Sequence, residues 1–515
     1  MHFIPFAAYA GLRSKEFPFG NSSKFIKPLF ITALVALIAA TGCSSKKQAS
    51  VDAPQKKESE AVMTPSETVA PDTPIALTHS SENPMTAYRL SNGLEVYLVE
   101  KKSIPMATVL IAVKNGAFAE NPSNNGLAHL YEHMFFKANE KVPSQPQFLR
   151  ALDEMGIELG PNMNAQTSTE FVRYYFTLQS QYLERGIQFM ADALISPKFL
   201  QDELEKERKV VIGEFDRYEA SPSDVFFQKS IFGKMFNQYF VRKNTIGDRN
   251  VILNASQQQM HDIQHQYYIP NNSALMIVGD FDEASVRQWI ERGFGSWAKG
   301  DDPFVKYPVP EHPPISANLE FVENASVQTV SMVQGFHGPS LTRNNKDILA
   351  MDLASHMLGF ESSPFQKELV QSGLASQASF YAWSQRYTSP LLFSVETTEE
   401  HAQEVYGKLK GLVEKIRLGK FFTERDLQVA KNSIEVSSAY DRESGQRYAM
   451  GLASIWTSTD SLNFYLSYVD EIKKLTLADI DQALQRYLST NYVLGVLMPQ
   501  GTKPIQVMGS KTAIQ

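Results

Sequence analysis

The residues of this chain with the clearest chemistry lie in one short segment, His129-Leu130-Tyr131-Glu132-His133. His129 and His133 are four residues apart, so on a helix their imidazoles lie one turn apart on one face, where both can bind one zinc ion. Glu132 follows His129 by three residues on much the same side, where a carboxylate can take a proton from a metal-bound water. This H-x-x-E-H order is the inverted zincin motif, and it predicts a metal site that needs a third ligand.

The third ligand is expected to be a carboxylate on another element, and a charged helix predicted over residues 199–218 carries two candidates. Glu207 and Glu214 are seven residues apart, which places them on one helix face, two turns apart. Paired carboxylates are common on solvated helices that have no site, but beside an H-x-x-E-H motif a carboxylate is a suitable third zinc ligand. Their spacing alone leaves open which of the two binds the metal.

A second histidine pair, His261 and His265, has the same spacing of four residues. Gln264 stands where the general base would be, and its amide cannot accept the proton of a water molecule. No carboxylate companion is evident in the sequence around this pair. We therefore interpret it as the polar face of a helix, with a metal site as the alternative.

The elements that must position these residues are predicted from hydrophobic periodicity and turn signals. In the first half of the chain, strands are predicted at 104–113, 171–178 and 273–279, a hairpin around Asn92-Gly93 at 87–100, and helices at 126–137, 180–194 and 199–218. In the second half, strands are predicted at 327–334, 390–397 and 492–498, and helices at 345–358, 399–417, 424–440 and 477–487.

A proline-rich stretch separates these two sets of elements. Residues 299–318 contain five prolines and are predicted to be an interdomain linker. The predicted fold is α+β, with two similar domains at residues 84–298 and 319–515. Each domain is expected to be a mostly antiparallel sheet packed with helices.

The N-terminal residues 1–42 have the pattern of a bacterial lipoprotein signal peptide, with basic residues, an apolar run at 29–40 and small residues before Cys43. Cys43 is the only cysteine of the chain, so an intrachain disulfide is excluded and lipidation is its predicted role. Ser44 follows it in place of the aspartate that often retains lipoproteins in the inner membrane, which favours an outer-membrane anchor facing the periplasm. An uncleaved membrane anchor with an incidental cysteine is the alternative.

The composition of the remaining chain limits its structure and its partners. Residues 43–83 comprise the cysteine and a segment rich in Ser, Lys, Glu, Pro and Ala, which predicts a disordered tether. The formal charge of the whole chain is −7. Because a nucleic-acid partner requires a basic surface, this charge argues against nucleic-acid binding.

The segment 126–137 resembles the zinc helix of the pitrilysin, insulinase and mitochondrial processing peptidase family over nearly its whole length. The segment 207–214 resembles the same family's E-R-x-V-[VI]-x-x-E pattern. The resemblance implies one Zn²⁺ per chain, bound by the two histidines of the motif and Glu214. It also implies that Glu207 is a supporting carboxylate of the catalytic site.

The same resemblance extends to the substrate-binding parts of the family. Asn164 and Ala165 begin a match to an N-A-x-T strand beside the zinc, which implies that an extended peptide pairs with this strand. A plain edge strand is the alternative. In the second half, Val370 and Ser376 stand where many relatives carry an Arg and a Tyr that grip the substrate.

The resemblance implies a membrane-tethered zinc metalloendopeptidase that hydrolyses short or unfolded peptides, with Glu132 as the general base. The closed chamber of this family needs two halves of two domains each, so a homodimer, or a heterodimer with a related chain, is expected. The missing Arg and Tyr support an alternative, a non-catalytic or partner-dependent subunit or a peptide-binding protein on the same fold. A different zinc-dependent hydrolysis is a third interpretation, which the match at Asn164 and Ala165 disfavours.

Overall fold

A computed structural model describes residues 72–77 and 85–507. The first half of the chain forms a seven-stranded sheet with the order β1-β2-β3-β7-β4-β6-β5. Its strands are β1 Thr73–Pro74, β2 Met85–Arg89, β3 Glu95–Glu100, β4 Met106–Val113, β5 Met163–Thr167, β6 Val172–Gln179 and β7 Ser273–Gly279. Neighbouring strands are antiparallel except for the parallel pair β3 and β7. Strand β5, with the N-A-x-T match, lies at one edge of this sheet.

The helices of the first half are α1 Leu127–Met134, α2 Gln145–Asp153, α3 Leu183–Ile195, α4 Gln201–Glu219, α5 Pro222–Val225, α6 Gly233–Met235, α7 Arg249–Leu253, α8 Gln257–Tyr267, α9 Glu283–Phe294 and α10 Pro303–Lys306. One face of the sheet packs against helices such as α1 and α3, because alternate strand residues such as Val109 and Ile111 are buried with helix residues such as Leu130 and Ile187. This core fixes α1 and α4, the two helices that carry the metal-site candidates.

The second half forms a five-stranded sheet with the order β10-β11-β9-β12-β8. Its strands are β8 Leu319–Ala325, β9 Val330–His337, β10 Ala375–Ala382, β11 Pro390–Thr397 and β12 Tyr492–Pro499. Its helices are α11 Asn345–Gly359, α12 Pro364–Gln366, α13 Ala402–Arg417, α14 Glu424–Glu443, α15 Gly445–Thr459, α16 Asn463–Lys474 and α17 Leu477–Leu488. The pairs are antiparallel except for β12 with β8. The predicted α+β fold with two mostly antiparallel sheets is confirmed.

Each sheet is covered on its other face by a segment from the opposite half. Helix α15 packs on the first sheet, where Tyr448 and Trp456 are buried against strand residues such as Leu110 and Met276. In return, the π-helical segment Phe226–Phe232 packs on the second sheet. The two halves are therefore interleaved in the described part of the chain.

Most predicted elements coincide with observed ones, and the differences are shifted bounds and elements that were not predicted, among them the helices α2, α9 and α16. Strand β9 begins at Val330, three residues later than the start of the strand predicted at 327–334. Strands β8 and β10 were not predicted, because Glu320, Glu323 and Asn324 interrupt the apolar residues of β8 and because β10 is rich in small residues. The predicted linker at 299–318 contains the one-turn helix α10 and is otherwise irregular.

Part of the predicted disordered tether is structured. Strand β1 pairs with β2, and the Ile75 N–H donates to the Ala87 carbonyl at 3.0 Å. Asp72 forms an ion pair with Arg287 at 3.4 Å. The predicted signal peptide, Cys43 and the rest of the predicted tether lie outside the described residues. Within the described residues, no helix is both long enough and apolar enough to cross a membrane.

Candidate metal-dependent active site

Helix α1 brings the two motif histidines together. Leu127, Leu130 and Met134 bury one side of the helix in the first core, and this packing fixes its rotation. The Nε2 atoms of His129 and His133 lie 3.3 Å apart. Burial and the neighbouring His133 lower the pKa of His129 to about 3, so this imidazole is neutral, the form that binds a metal.

Helix α4 supplies the third donor atom at Glu214. Its Oε2 lies 3.4 Å from Nε2 of His129 and 3.9 Å from Nε2 of His133. Ligand atoms of a tetrahedral zinc site lie about 3.3 Å apart when each is about 2.0–2.1 Å from the metal. Across the described residues, these three side chains form the one group of three or more His, Cys, Asp or Glu donors close enough to share a metal ion. Two imidazoles and one carboxylate at these distances fit zinc with a fourth position left open.

Glu207 contacts Nδ1 of His133 and not the Nε2 atoms of the two histidines. Its Oε2 lies 3.1 Å from Nδ1 of His133, and its Oε1 lies 2.5 Å from Nζ of Lys137. Burial raises the pKa of Glu207, but the hydrogen bond from His133 and the charge of Lys137 outweigh burial and lower the pKa. An ionised carboxylate at Nδ1 favours the tautomer with the proton there, which leaves Nε2 free to bind a metal. The structure thus separates the two carboxylates that the sequence spacing left equivalent.

The pKa of His133 reflects the same surroundings. Burial lowers it, but the hydrogen bond to Glu207 and the negative charges of Glu132, Glu214 and Glu207 outweigh burial and raise it overall. The surroundings of His129 differ from those of His133, because Nδ1 of His129 is buried without a hydrogen-bond partner among the described residues. Only one of the two histidines therefore has a carboxylate that orients its ring.

Glu132 lies on the same helix, outside the group of three donors. Its Oε2 is buried and has no hydrogen-bond partner among the described residues, while Thr167 of β5 interacts with its carboxylate. Burial raises the pKa of Glu132. A carboxylate with a raised pKa and a free oxygen beside a metal site has the properties of a general base.

Strand β5 offers an open edge next to this site. Its hydrogen-bonded pairs with β6 involve the even-numbered residues, as the bonds at Asn162 and Ser168 show. In an antiparallel pair, the alternate residues direct their backbone groups away from the partner strand. Ala165 therefore presents its backbone to the open edge, where its N–H donates to Oδ1 of Asn164 at 2.9 Å, and Asn164 itself pairs with Tyr175.

The second half contributes neither a cation nor a phenol at the positions of the missing pair. Val370 is half-buried against the second core. Ser376 is exposed, and its hydroxyl donates to the Glu396 carbonyl at 3.3 Å. The nearby Arg386 is engaged elsewhere, because its backbone N–H donates to Glu170 and its side chain pairs with Asp460.

The second histidine pair lies apart from the metal-site group. The ring of His261 packs edge-on against Phe199, and its Nδ1 lies 3.4 Å from the Gln264 side chain.

Two residues that contact the site, Lys137 and Thr167, were not predicted from the sequence. Both lie inside matched segments, so the signal was present, but their contacts with Glu207 and Glu132 depend on the tertiary structure.

Comparisons with known proteins agree with this geometry. The family model described as "Insulinase (Peptidase family M16)" matches residues 95–248, and the model described as "Peptidase M16 inactive domain" matches residues 254–434. A "Probable zinc protease PqqL" of Haemophilus influenzae is 23% identical over 82% of this chain. The match covers 47% of that relative, so this chain spans about half of its length. An "Uncharacterized zinc protease YmxG" of Bacillus subtilis is 21% identical over 81% of this chain and 99% of the relative.

Solved structures show the same fold. A protease from Helicobacter pylori superposes with a TM-score of 0.73 at 23% identity, covering 81% of this chain and all of that one. The first half of the periplasmic protease PqqL from Escherichia coli superposes with a TM-score of 0.64 at 16% identity, covering 82% of this chain and 93% of that one. The family models together span more than half of the chain. The chain belongs to peptidase family M16, the insulinase family.

Proposed function

We propose that this protein is a zinc-dependent metalloendopeptidase that hydrolyses short or unfolded peptides, with one zinc ion per chain. The observation that carries the proposal is the convergence of His129, His133 and Glu214, with donor atoms 3.3–3.9 Å apart, beside Glu132. Relatives named as zinc proteases support the choice of zinc.

The chain's own residues account for proton transfer and orientation. A bound zinc ion supplies Lewis acidity, which lowers the pKa of water toward about 7 and polarises a carbonyl. Glu132 takes the proton from the attacking water and passes it to the leaving amine. Glu207 holds the ring of His133 through Nδ1, so that the site keeps its geometry during this transfer.

The open edge of β5 supports peptides as the substrate class. An extended peptide that pairs with Ala165 gains backbone hydrogen bonds, which depend little on the peptide's side chains. A folded protein cannot present an extended, unpaired segment without local unfolding. Short or unfolded peptides therefore fit this edge best.

The experiment that tests the proposed activity is the substitution Glu132→Gln. The amide cannot accept the proton, so we expect cleavage of a fluorogenic peptide to fall about 10²–10⁴-fold while the zinc content stays near one per chain. Glu205→Gln, an exposed position on the same helix as Glu207, is the control and should leave cleavage unchanged. Cleavage by Glu132→Gln at the wild-type rate, or wild-type cleavage that persists in a chelator, would contradict the mechanism.

We further propose that Cys43 is lipidated and tethers the peptidase to the bacterial envelope, in the outer membrane facing the periplasm. The signal pattern before Cys43 supports this address, as does the periplasmic location named for the PqqL structure. Mass spectrometry of the protein purified from membranes should find a chain that begins at a lipid-modified Cys43. A chain that still carries residues 1–42 and an unmodified Cys43 would favour the uncleaved anchor instead.

The second candidate function is a partner-dependent or non-catalytic subunit, or a peptide-binding protein, on the same fold. Val370 and Ser376 at the positions of the Arg and Tyr favour it, because this chain then lacks part of the substrate grip. We propose a homodimer, or a heterodimer with a related chain, as the arrangement that completes the chamber.

A further inference from the structure

The metal-bearing helix α1 begins at a residue that has no side chain to cap it. Its N-cap residue is Gly126, with φ +97°. The backbone of Gly247 packs so closely that a Cβ on Gly247 would lie 2.2 Å from the Cα of Gly126. Helices usually satisfy their first N–H groups through a Ser, Thr, Asp or Asn at the N-cap, but this close backbone contact favours glycine here. Acceptors for the N–H groups of α1 must therefore come from elsewhere.

Glu120 supplies these acceptors from six residues upstream. It is 7% exposed, and its Oε2 accepts from the Gly126 N–H while its Oε1 accepts from the Ala128 N–H, both at 2.8 Å. Its Oε2 also accepts from Nδ2 of Asn125 at 2.9 Å. Both oxygens of this buried carboxylate thus hold the first turn of the metal-bearing helix, at the positive end of the helix dipole.

The surroundings of Asn125 prevent this turn from moving alone. Nδ2 of Asn125 also donates to the carbonyls of Val241 and Asn244, at 3.0 and 3.1 Å. The first turn of α1 is therefore hydrogen-bonded both to Glu120 and, through Asn125, to the backbone of Val241 and Asn244.

The position of this turn bears directly on the metal site. Ala128, whose N–H binds Glu120, immediately precedes His129 in the chain. Glu214 lies on a different helix, so its distance to His129 depends on where α1 begins and how it is rotated. Functional sites tolerate displacements of only about 0.5 Å before they lose their geometry.

We propose that Glu120 is a positioning residue of the metal site, which sets the start of α1 and thereby the distance between His129 and Glu214. This inference rests on the proposed zinc function. Glu120 lies nine residues before His129 and outside the H-x-x-E-H motif, so the motif alone gives no role to it.

The test is Glu120→Gln in the full chain. Glutamine keeps the size of the side chain, but its NH₂ group meets an N–H donor where the carboxylate offered an acceptor. We expect the zinc dissociation constant, measured by chelator competition, to rise about 10–100-fold, as for other residues that support metal ligands. We also expect the visible absorption of the Co²⁺-substituted protein to change, because that spectrum reports the ligand geometry directly.

Glu320→Gln is the matched control. Glu320 is also 7% exposed, and it accepts from Lys410 at 2.6 Å and from Tyr492 at 2.7 Å in the second half of the chain. This variant should lower the melting temperature while the zinc affinity and the Co²⁺ spectrum stay at wild-type values. An equal loss of zinc affinity in both variants would overturn the proposal, because the effect would then follow from stability alone.

Wild-type zinc affinity together with a wild-type Co²⁺ spectrum in Glu120→Gln would also overturn it. If that variant does not fold, Glu120→Asp is measured by the same criteria, because aspartate keeps the charge but is too short to reach both N–H groups. If the wild-type chain itself binds no zinc, the proposed function fails together with this inference. Zinc binding by the wild type with no change in the variants overturns the inference alone.

Discussion

At the scale of single residues, Glu207 and Glu214 of α4 make different contacts although they share one helix face. Glu214 lies among the donor atoms, whereas Glu207 contacts Nδ1 of His133 and Nζ of Lys137. Their seven-residue spacing directs both carboxylates toward α1. The position of α1 then decides that Glu214, and not Glu207, lies next to the Nε2 atoms of His129 and His133. Removing a ligand and removing its support should therefore have effects of different size.

The prediction compares Glu214→Gln with Glu207→Gln. Glu207→Gln should weaken zinc binding about 10–100-fold, because His133 loses the charged partner that fixes its ring. Glu214→Gln should weaken it further, because a neutral amide replaces an anionic ligand. Zinc affinity is measured by chelator competition, and a larger loss in Glu207→Gln than in Glu214→Gln would reverse the assignment.

At the scale of elements, β5 combines an open edge with direct contact to helix α1. Thr167 interacts with Glu132, and the backbone of Ala165 faces away from β6. A peptide paired with this edge would lie along the strand that also holds the proposed general base. The backbone of β5, and not its side chains, should then carry substrate affinity.

The prediction for this strand is that Ala165→Pro impairs cleavage without unfolding the sheet. Proline removes the Ala165 N–H, which donates to Oδ1 of Asn164 and not to the ladder with β6, so a paired peptide would take the place of the Asn164 side chain. The loss of one such hydrogen bond, worth about 0.5–1.5 kcal/mol, should lower kcat/KM several-fold or more. Ala165→Gly keeps the N–H and is the matched control. Equal kcat/KM values for the two variants, at equal zinc content and melting temperature, would argue against pairing at this edge.

At the scale of the whole molecule, the interleaving of α15 and the segment Phe226–Phe232 joins the two sheets through buried side chains. Trp456, for example, is buried against the first sheet and donates to Glu95 at 2.7 Å. The chain therefore behaves as one structural body in the described region. It spans about half of the PqqL relative, which has room for a second such body in one polypeptide.

The prediction at this scale is a dimer in solution. Light scattering should give the mass of two chains, and specific peptidase activity should fall as dilution separates them. An active monomer, with specific activity independent of concentration, would contradict a chamber built from two chains. A chain that is inactive alone and active with a related partner would identify the partner-dependent alternative.

The sequence by itself predicted the features that depend on local periodicity. The residues His129, Glu132 and His133 lie within one or two turns of a single helix, so their relative placement follows from helix geometry alone. The strands β7 and β11 coincide with their predicted bounds because their apolar runs are strong and bounded by turn signals. The α+β class followed from the same patterns.

Only the tertiary structure decided the features that depend on contacts between distant segments. It assigned Glu214 to the donor group and Glu207 to His133, a choice that their common helix face could not make. It also revealed the edge strand β8, the interleaved helix α15 and the carboxylate of Glu120 at the start of α1. These depend on packing across the chain, because periodicity reports which face of an element is buried but not which partner buries it.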